Sequence, residues 1–305
     1  MPLKLCYIGF SGDPGFPSSD SLSRFFDDAS DSVTSNPSEA NVLIIGSFIN
    51  PTEFNIIAEF RGIRVLYIAE PITKLRFCTI AGYLYTNDLC DYYIGCISNG
   101  PKSFKYPFYA QKPIDFKASN DYVRDCSLSE KQFCTLINRH DWGYTRTPIY
   151  NMLRNVGPIV CPGKLYNNCS NEELNRIGNK AFIKKFLFNI CSENFGTSHP
   201  GYITEKLQNC VEGGAIPVYY GALDEIDELV FNKKRILFVN ESNVGEVAVQ
   251  VMELMQKPEL LNAFYRQPVF METAESAFKS IHEGMVAWFA KLRVQVETNS
   301  SSSTF

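Results

Sequence analysis

The sequence predicts an α/β protein made of two doubly wound, Rossmann-like domains. Three observations lead there. Short apolar runs of strand length alternate with helically spaced stretches along the chain, which is the pattern of parallel-sheet layering. The 305 residues suit one large or two medium domains, and a hydrophobic content of 45% is ample for their cores. A proline-containing stretch of low regularity separates two alternating halves.

The elements follow in order. Residues 3–10 read as a strand, 21–29 as a helix, 41–46 as a strand, 53–61 as a helix, 63–68 as a strand and 91–95 as a short strand. The stretch 101–125 carries Pro101, Pro107 and Pro113 among many polar residues, and the first domain is expected to end with it. The second domain opens with a strand at 132–138. A helix at 148–156 follows, with Pro148 in its first turn, where a missing N–H is tolerated. Residues 186–190 form the next strand. The spacing of Ile203, Leu207 and Val211 predicts a helix over 202–211, stopped by Gly213 and Gly214. Strands at 216–220 and 235–239, a helix at 244–256, another opened by Pro258 and a long helix at 274–293 complete the pattern. The expected plan is thus a first domain at 1–125 and a second at 126–270. A helix within 271–297 packs back on the first, and a disordered polar tail spans 298–305. No solenoid-length repeat is present.

Composition narrows the function. A net charge of −4 argues against a general nucleic-acid binder. The ten cysteines are scattered without a CxxC pair, so buried free thiols are expected rather than zinc ligands; their even count leaves disulfides open. His140, His199 and His282 fall in different elements, so no metal is expected on them. No apolar run reaches membrane-span length and no signal peptide opens the chain, so the expectation is a soluble, cytoplasmic protein. The charge runs Lys184-Lys185 and Lys233-Lys234-Arg235 are expected to be solvated.

Candidate chemical groups gather where strands end. Open α/β sheets bind ligands outside the carboxyl ends of their strands, and a helix start offers unpaired N–H groups to a phosphate. Glu193 and Asn194 follow the strand at 186–190, and Tyr202, Thr204, Glu205 and Lys206 open the next helix. Adjacent residues at a helix start point in different directions, so Glu205 suits ribose hydroxyls and Lys206 a pyrophosphate. Arg146 stands at the first strand–helix junction of the second domain, where a guanidinium can clamp phosphate, with Arg139 a nearby competitor. Glu70 ends an apolar strand of the first domain, where partial burial suits a general base. Trp142 and Tyr144 either stack on a ligand's base or sugar or pack in the core.

Three ordered motifs carry a resemblance: Ser192-Glu193-Asn194, then Tyr202-Ile203-Thr204-Glu205-Lys206, then Gly214-Ala215-Ile216-Pro217-Val218. Together they resemble the donor-site signature of the α1,3/4-fucosyltransferases, glycosyltransferase family 10. Two departures are a serine at 192, where an aromatic is common, and a slightly longer loop between Asn194 and Tyr202. The resemblance implies the GT-B architecture, two Rossmann-like domains facing a cleft. It implies inverting transfer of L-fucose from GDP-fucose to a hydroxyl of a glycan acceptor, in an α1,3-type linkage. It implies donor contacts from Arg146, Asn194, Tyr202, Thr204, Glu205 and Lys206, and a general base at Glu70. Glu193 is either a further donor contact or a loop-fixing residue. No cofactor is expected, with divalent metal at most stimulatory. The acceptor is expected to meet first-domain loops at 74–88 and 101–125. The alternatives are a GT-B enzyme using another nucleotide sugar, or a non-catalytic nucleotide- or glycan-binding module.

Overall fold

A computed structural model of the chain describes residues 1–10, 20–26, 28–71, 80–141, 143–195 and 199–302. The chain divides into two compact units, Met1–Lys112 with Phe278–Phe305, and Pro113–Ala277. In the first unit the order is β1 (Lys4–Ile8), α1 (Asp20–Ser23), β2 (Ser32–Thr34), β3 (Val42–Ile45), α2 (Pro51–Glu59), β4 (Ile63–Ile68), α3 (Ile80–Thr86), β5 (Tyr92–Gly95) and β6 (Ser103–Lys105). The strands form one sheet in the order β2-β1-β3-β4-β5-β6, parallel at every pairing. All four residues of β3 are buried, as the centre of a parallel sheet covered on both faces requires. Helix α2 begins two residues before the expected 53–61: Pro51 occupies the first turn, and Asn50 and Glu53 close a capping box.

The second unit runs α4 (Phe116–Asp125), β7 (Gln132–Thr135), α5 (Arg146–Leu153), β8 (Ile159–Val160), α6 (Glu172–Ile177), α7 (Asn179–Ile183), β9 (Phe186–Ser192), α8 (Glu205–Glu212), β10 (Ile216–Tyr220), α9 (Glu225–Glu228), β11 (Leu237–Phe238), α10 (Val244–Gln256) and α11 (Pro258–Tyr265). Its sheet has the order β11-β10-β9-β7-β8, again parallel throughout. From β7 the chain steps outward to β8, then returns past β7 to β9. The direction of winding therefore reverses between β7 and β9, which makes that crevice the ligand-binding position of this topology. The central strand β9 is buried at all seven residues.

The last helix, α12 (Ala274–Ser302), runs from the end of the second unit into the first. In the first unit it buries Ile281, Met285, Trp288, Leu292 and Val296 at helical spacing. Trp288 meets Tyr92 edge-on at 5.9 Å, and Arg293 pairs with Asp31 at 2.6 Å.

The expected strands at 63–68 and 216–220 and the helix at 244–256 coincide with β4, β10 and α10. Other expectations differ. The irregular stretch at 101–125 holds β6 and α4, because its prolines flank these elements rather than interrupt them. Helix α4 belongs to the second unit, where the Asn120 side chain bonds the Phe270 backbone at 3.0 and 3.1 Å. The boundary between the units therefore falls before α4 rather than at residue 125. Helix α12 continues through Ser302, where a disordered tail from 298 was expected. Of the charge run at 233–235, Lys233 and Lys234 are exposed, but Arg235 is buried. Its guanidinium donates to the carbonyls of Gly214, Ala215 and Tyr265 at 2.8–3.0 Å. That satisfies a charge the sequence pattern assigned to water.

Candidate functional site

Strand β7 ends at Thr135 and β9 at Ser192, so the loops after them meet at the reversal point of the second sheet. Gly143 lets them meet: a Cβ there would overlap the Asn194 carbonyl oxygen. Thr145 ties the same loops together, its hydroxyl donating to the Glu193 carbonyl at 3.2 Å.

Arg146 is the strongest tie. It opens α5 and is fully buried. Nη1 donates to the His140 carbonyl at 2.9 Å, and Nη2 donates to the Ser192 carbonyl at 2.9 Å and to Asn194 Oδ1 at 2.8 Å. One charged fork thus joins the ends of both strands and orients Asn194. The start of α5 is occupied from within. Asp141 Oδ1 accepts the Arg146 N–H at 3.0 Å, and Oδ2 accepts the Thr147 N–H and hydroxyl at 2.8 and 2.6 Å. Burial pushes the Asp141 carboxyl up, but these hydrogen bonds outweigh it and hold the group below the usual carboxylate range.

Glu193 is also fully buried. Its carboxylate accepts the Thr204 N–H at 2.9 Å and the Thr204 hydroxyl at 2.6 Å, with the Tyr219 hydroxyl at 3.4 Å. Burial raises its pKa, against the pull of Lys206 and Thr204. Thr204 is the N-cap of α8, so Glu193 fixes the start of that helix. The Lys206 ammonium lies 3.0 Å from the Thr204 hydroxyl and 3.6 Å from both Glu193 Oε2 and Glu205 Oε1. The Glu205 side chain is half exposed. Tyr202 is buried, while Asn194 is partly exposed.

The second unit therefore places Arg146, Glu193, Asn194, Tyr202, Thr204, Glu205 and Lys206 in the segments that follow the carboxyl ends of β7 and β9. Glu205, Lys206 and Asn194 present polar groups there. Arg146, Glu193 and Thr204 are engaged with protein partners, so in this structure they shape the site rather than line its surface. Glu70 belongs to the first unit, two residues past the end of β4, and is partly buried. Trp142 lies outside the described residues, as does the 74–79 portion of the expected acceptor loop. Tyr144 is 82% exposed, which decides against its core-packing alternative.

Sequence reasoning missed Asp141, Gly143 and Tyr219. Asp141 caps from five residues before the helix start, a longer reach than the usual N-cap spacing. The hydroxyl of Tyr219 sits in an otherwise apolar strand, and its partner is distant in sequence. Larger concavities lie away from this chemistry: about 510 Å³ between Asn36 and Gly62 in the first unit, and about 350 Å³ beside Tyr122 and Lys184 in the second. Among the described residues, no group of three or more His, Cys, Asp or Glu side chains converges as a metal site, and the nine cysteines are free thiols. None of the described helices is long and apolar enough to cross a membrane.

Known proteins resemble this chain in sequence and in fold. The C-terminal region of glycosyltransferase family 10 (fucosyltransferase) matches residues 127–301, more than half of the chain. The chain is 25% identical over 126 residues to the α-(1,3)-fucosyltransferase FucT of Helicobacter pylori; the match covers 41% of this chain and a quarter of that protein's length. Crystal structures of an α1,3-fucosyltransferase superimpose with a TM-score of 0.66 at 17% identity, over 92% of this chain and 90% of that one. The same holds with GDP-fucose bound, at a TM-score of 0.62 and 18% identity over the same shares. The likeness in fold identifies the two parallel-sheet units as those of the GT-B glycosyltransferases. The signature after β9, the winding of the second sheet and the family match agree: the chain belongs to glycosyltransferase family 10, the fucosyltransferase family.

Proposed function

We propose that the chain transfers L-fucose from GDP-fucose to a hydroxyl of a glycan acceptor, with inversion and in an α1,3-type linkage. The observation carrying this reading is the Glu193–Thr204–Lys206 network, which sets an ammonium and the half-exposed Glu205 carboxylate on the first turn of α8. Glu205 accepts the ribose hydroxyls. Lys206 neutralises the pyrophosphate, leaving Thr204 and Glu193 as it turns toward the ligand. Arg146 contributes its charge from behind and holds Asn194 toward the donor. As the acceptor oxygen bonds to the anomeric carbon, Glu70 takes its proton. The bond from that carbon to the β-phosphate oxygen breaks with its electron pair, and GDP leaves against Lys206 and the α8 terminus.

Calorimetric titration with GDP tests the donor site. Lys206→Ala removes a charged hydrogen bond and is expected to weaken GDP by about 1.5–3 kcal/mol. Unchanged GDP affinity in the folded variant would sink the assignment. Protein cations and a helix terminus supply the charge stabilisation, so turnover is expected to persist in EDTA, with divalent metal at most stimulatory. Complete loss of turnover in EDTA, restored by added metal, contradicts this.

A further inference from the structure

Tyr166 lies in the loop after β8 and holds a left-handed backbone, with φ of 54°. Glycine or asparagine would bear this conformation with less strain, so surrounding contacts must enforce it. They stand on either side. The Leu165 N–H donates to the Asn138 carbonyl at 3.0 Å. The Asn168 side chain accepts from the Cys161 N–H and donates to the Ile159 carbonyl, both at 2.8 Å. The loop is thereby fastened to the segment after β7 that carries His140 and Asp141.

The Tyr166 side chain grips α5 at two points. Its ring stacks on Tyr150, with centroids 4.1 Å apart and planes 7° from parallel. Its hydroxyl lies 2.7 Å from the Thr147 hydroxyl. Residues 147 and 150 are three apart, so they share one face of the helix. The direction of the hydrogen bond follows from proton count. Thr147 has one hydroxyl proton, and it goes to Asp141 Oδ2 at 2.6 Å, a carboxylate that is held ionised and can only accept. The Tyr166 hydroxyl must therefore donate to Thr147. A polarised chain runs from Tyr166 through Thr147 to Asp141, each link strengthening the next. At its far end Asp141 takes the Arg146 N–H, and the carbonyl of neighbouring His140 takes Arg146 Nη1.

We propose that Tyr166 is a positioning residue for the donor site: through Thr147 and Asp141 its hydroxyl fixes the start of α5, and with it the aim of the Arg146 guanidinium at Asn194. This rests on the donor-site reading given above.

The test is calorimetric titration with GDP under conditions where every variant is folded. Tyr166→Phe keeps the ring and its stacking but ends the chain, and is expected to weaken GDP about three- to ten-fold, the scale of one neutral hydrogen bond. Thr147→Val, nearly isosteric, should lose at least as much, whereas Thr147→Ser keeps the hydroxyl and should stay within about two-fold of wild type. Adding Tyr166→Phe to Asp141→Ala should bring no further loss, because the chain then has no acceptor at its end. Wild-type GDP affinity in folded Tyr166→Phe, whatever its melting temperature, would leave the tyrosine a structural role only and overturn the proposal. An equal loss in the Asp141→Ala background would overturn it too, since the hydroxyl would then act by another route. Failure of the wild type to bind GDP would instead sink the donor-site reading.

Discussion

Two carboxylates at the reversal point of the second sheet show how little a residue's type says about its work. Glu193 and Asp141 both sit beside proposed donor groups, yet each is committed to holding a helix start. Sequence reasoning placed Glu193 in the site without settling its role, because contact with Thr204 across a loop is invisible in spacing. Asp141 yields a pH-dependent prediction. Its folded pKa is lowered, so its stabilisation is present above the unfolded value of about 3.8 and is lost as pH falls through the lower folded value. Asp141→Ala is expected to cost about 0.5–2 kcal/mol at pH 7, the range for a lost cap. In urea unfolding, the gap from wild type should narrow in strong acid. A gap that stays constant from pH 7 into strong acid would show that the carboxylate's charge plays no role.

At the scale of elements, legibility followed local pattern. β10 is a continuous apolar run, β4 is one interrupted only by Arg64, and α10 keeps helical spacing over its length, so their limits could be read directly. α4 could not: Val123 is its only buried residue, and polar side chains outnumber apolar ones along it, so beside Pro107 and Pro113 it read as irregular. The loops after β7 and β9 were placed correctly as strand–helix junctions, but their mutual packing depends on a glycine whose neighbour is far along the chain. Gly143→Ala would force a methyl group against the Asn194 backbone, which cannot swing aside as a flexible side chain could. The two loops must separate, at about 1–3 kcal/mol, the usual scale of overpacking. Thermal melting should fall, and GDP affinity should fall with it, because Arg146 loses its grip on Asn194. A variant with wild-type melting and wild-type GDP affinity would show that the close approach has no consequence.

Across the whole molecule, the proposed base and the proposed donor groups lie in different units. That separation makes a prediction about rates rather than affinities. Glu70→Gln is expected to lower transfer by about 10²–10⁴, the usual contribution of a positioned base, while leaving GDP binding unchanged. Near-normal transfer by this variant would exclude the role. The plan of two parallel-sheet units was legible because alternation runs through the chain. The boundary between them was not, because the second unit opens with a polar helix, α4, whose membership is decided by Asn120 and Phe116 meeting Phe270.

The return of α12 to the first unit has a consequence for synthesis. The six strands of the first sheet are complete by Lys105, yet Trp288, Phe289 and Leu292, which pack in the same unit, are translated only after the second unit. At ordinary ribosome speeds that interval is on the order of ten seconds or more. The second unit is continuous in sequence and can fold as soon as it emerges. The nascent first sheet must wait with apolar surface uncovered. N-terminal domains ordinarily fold first during translation; here the first unit to begin is the last to be completed.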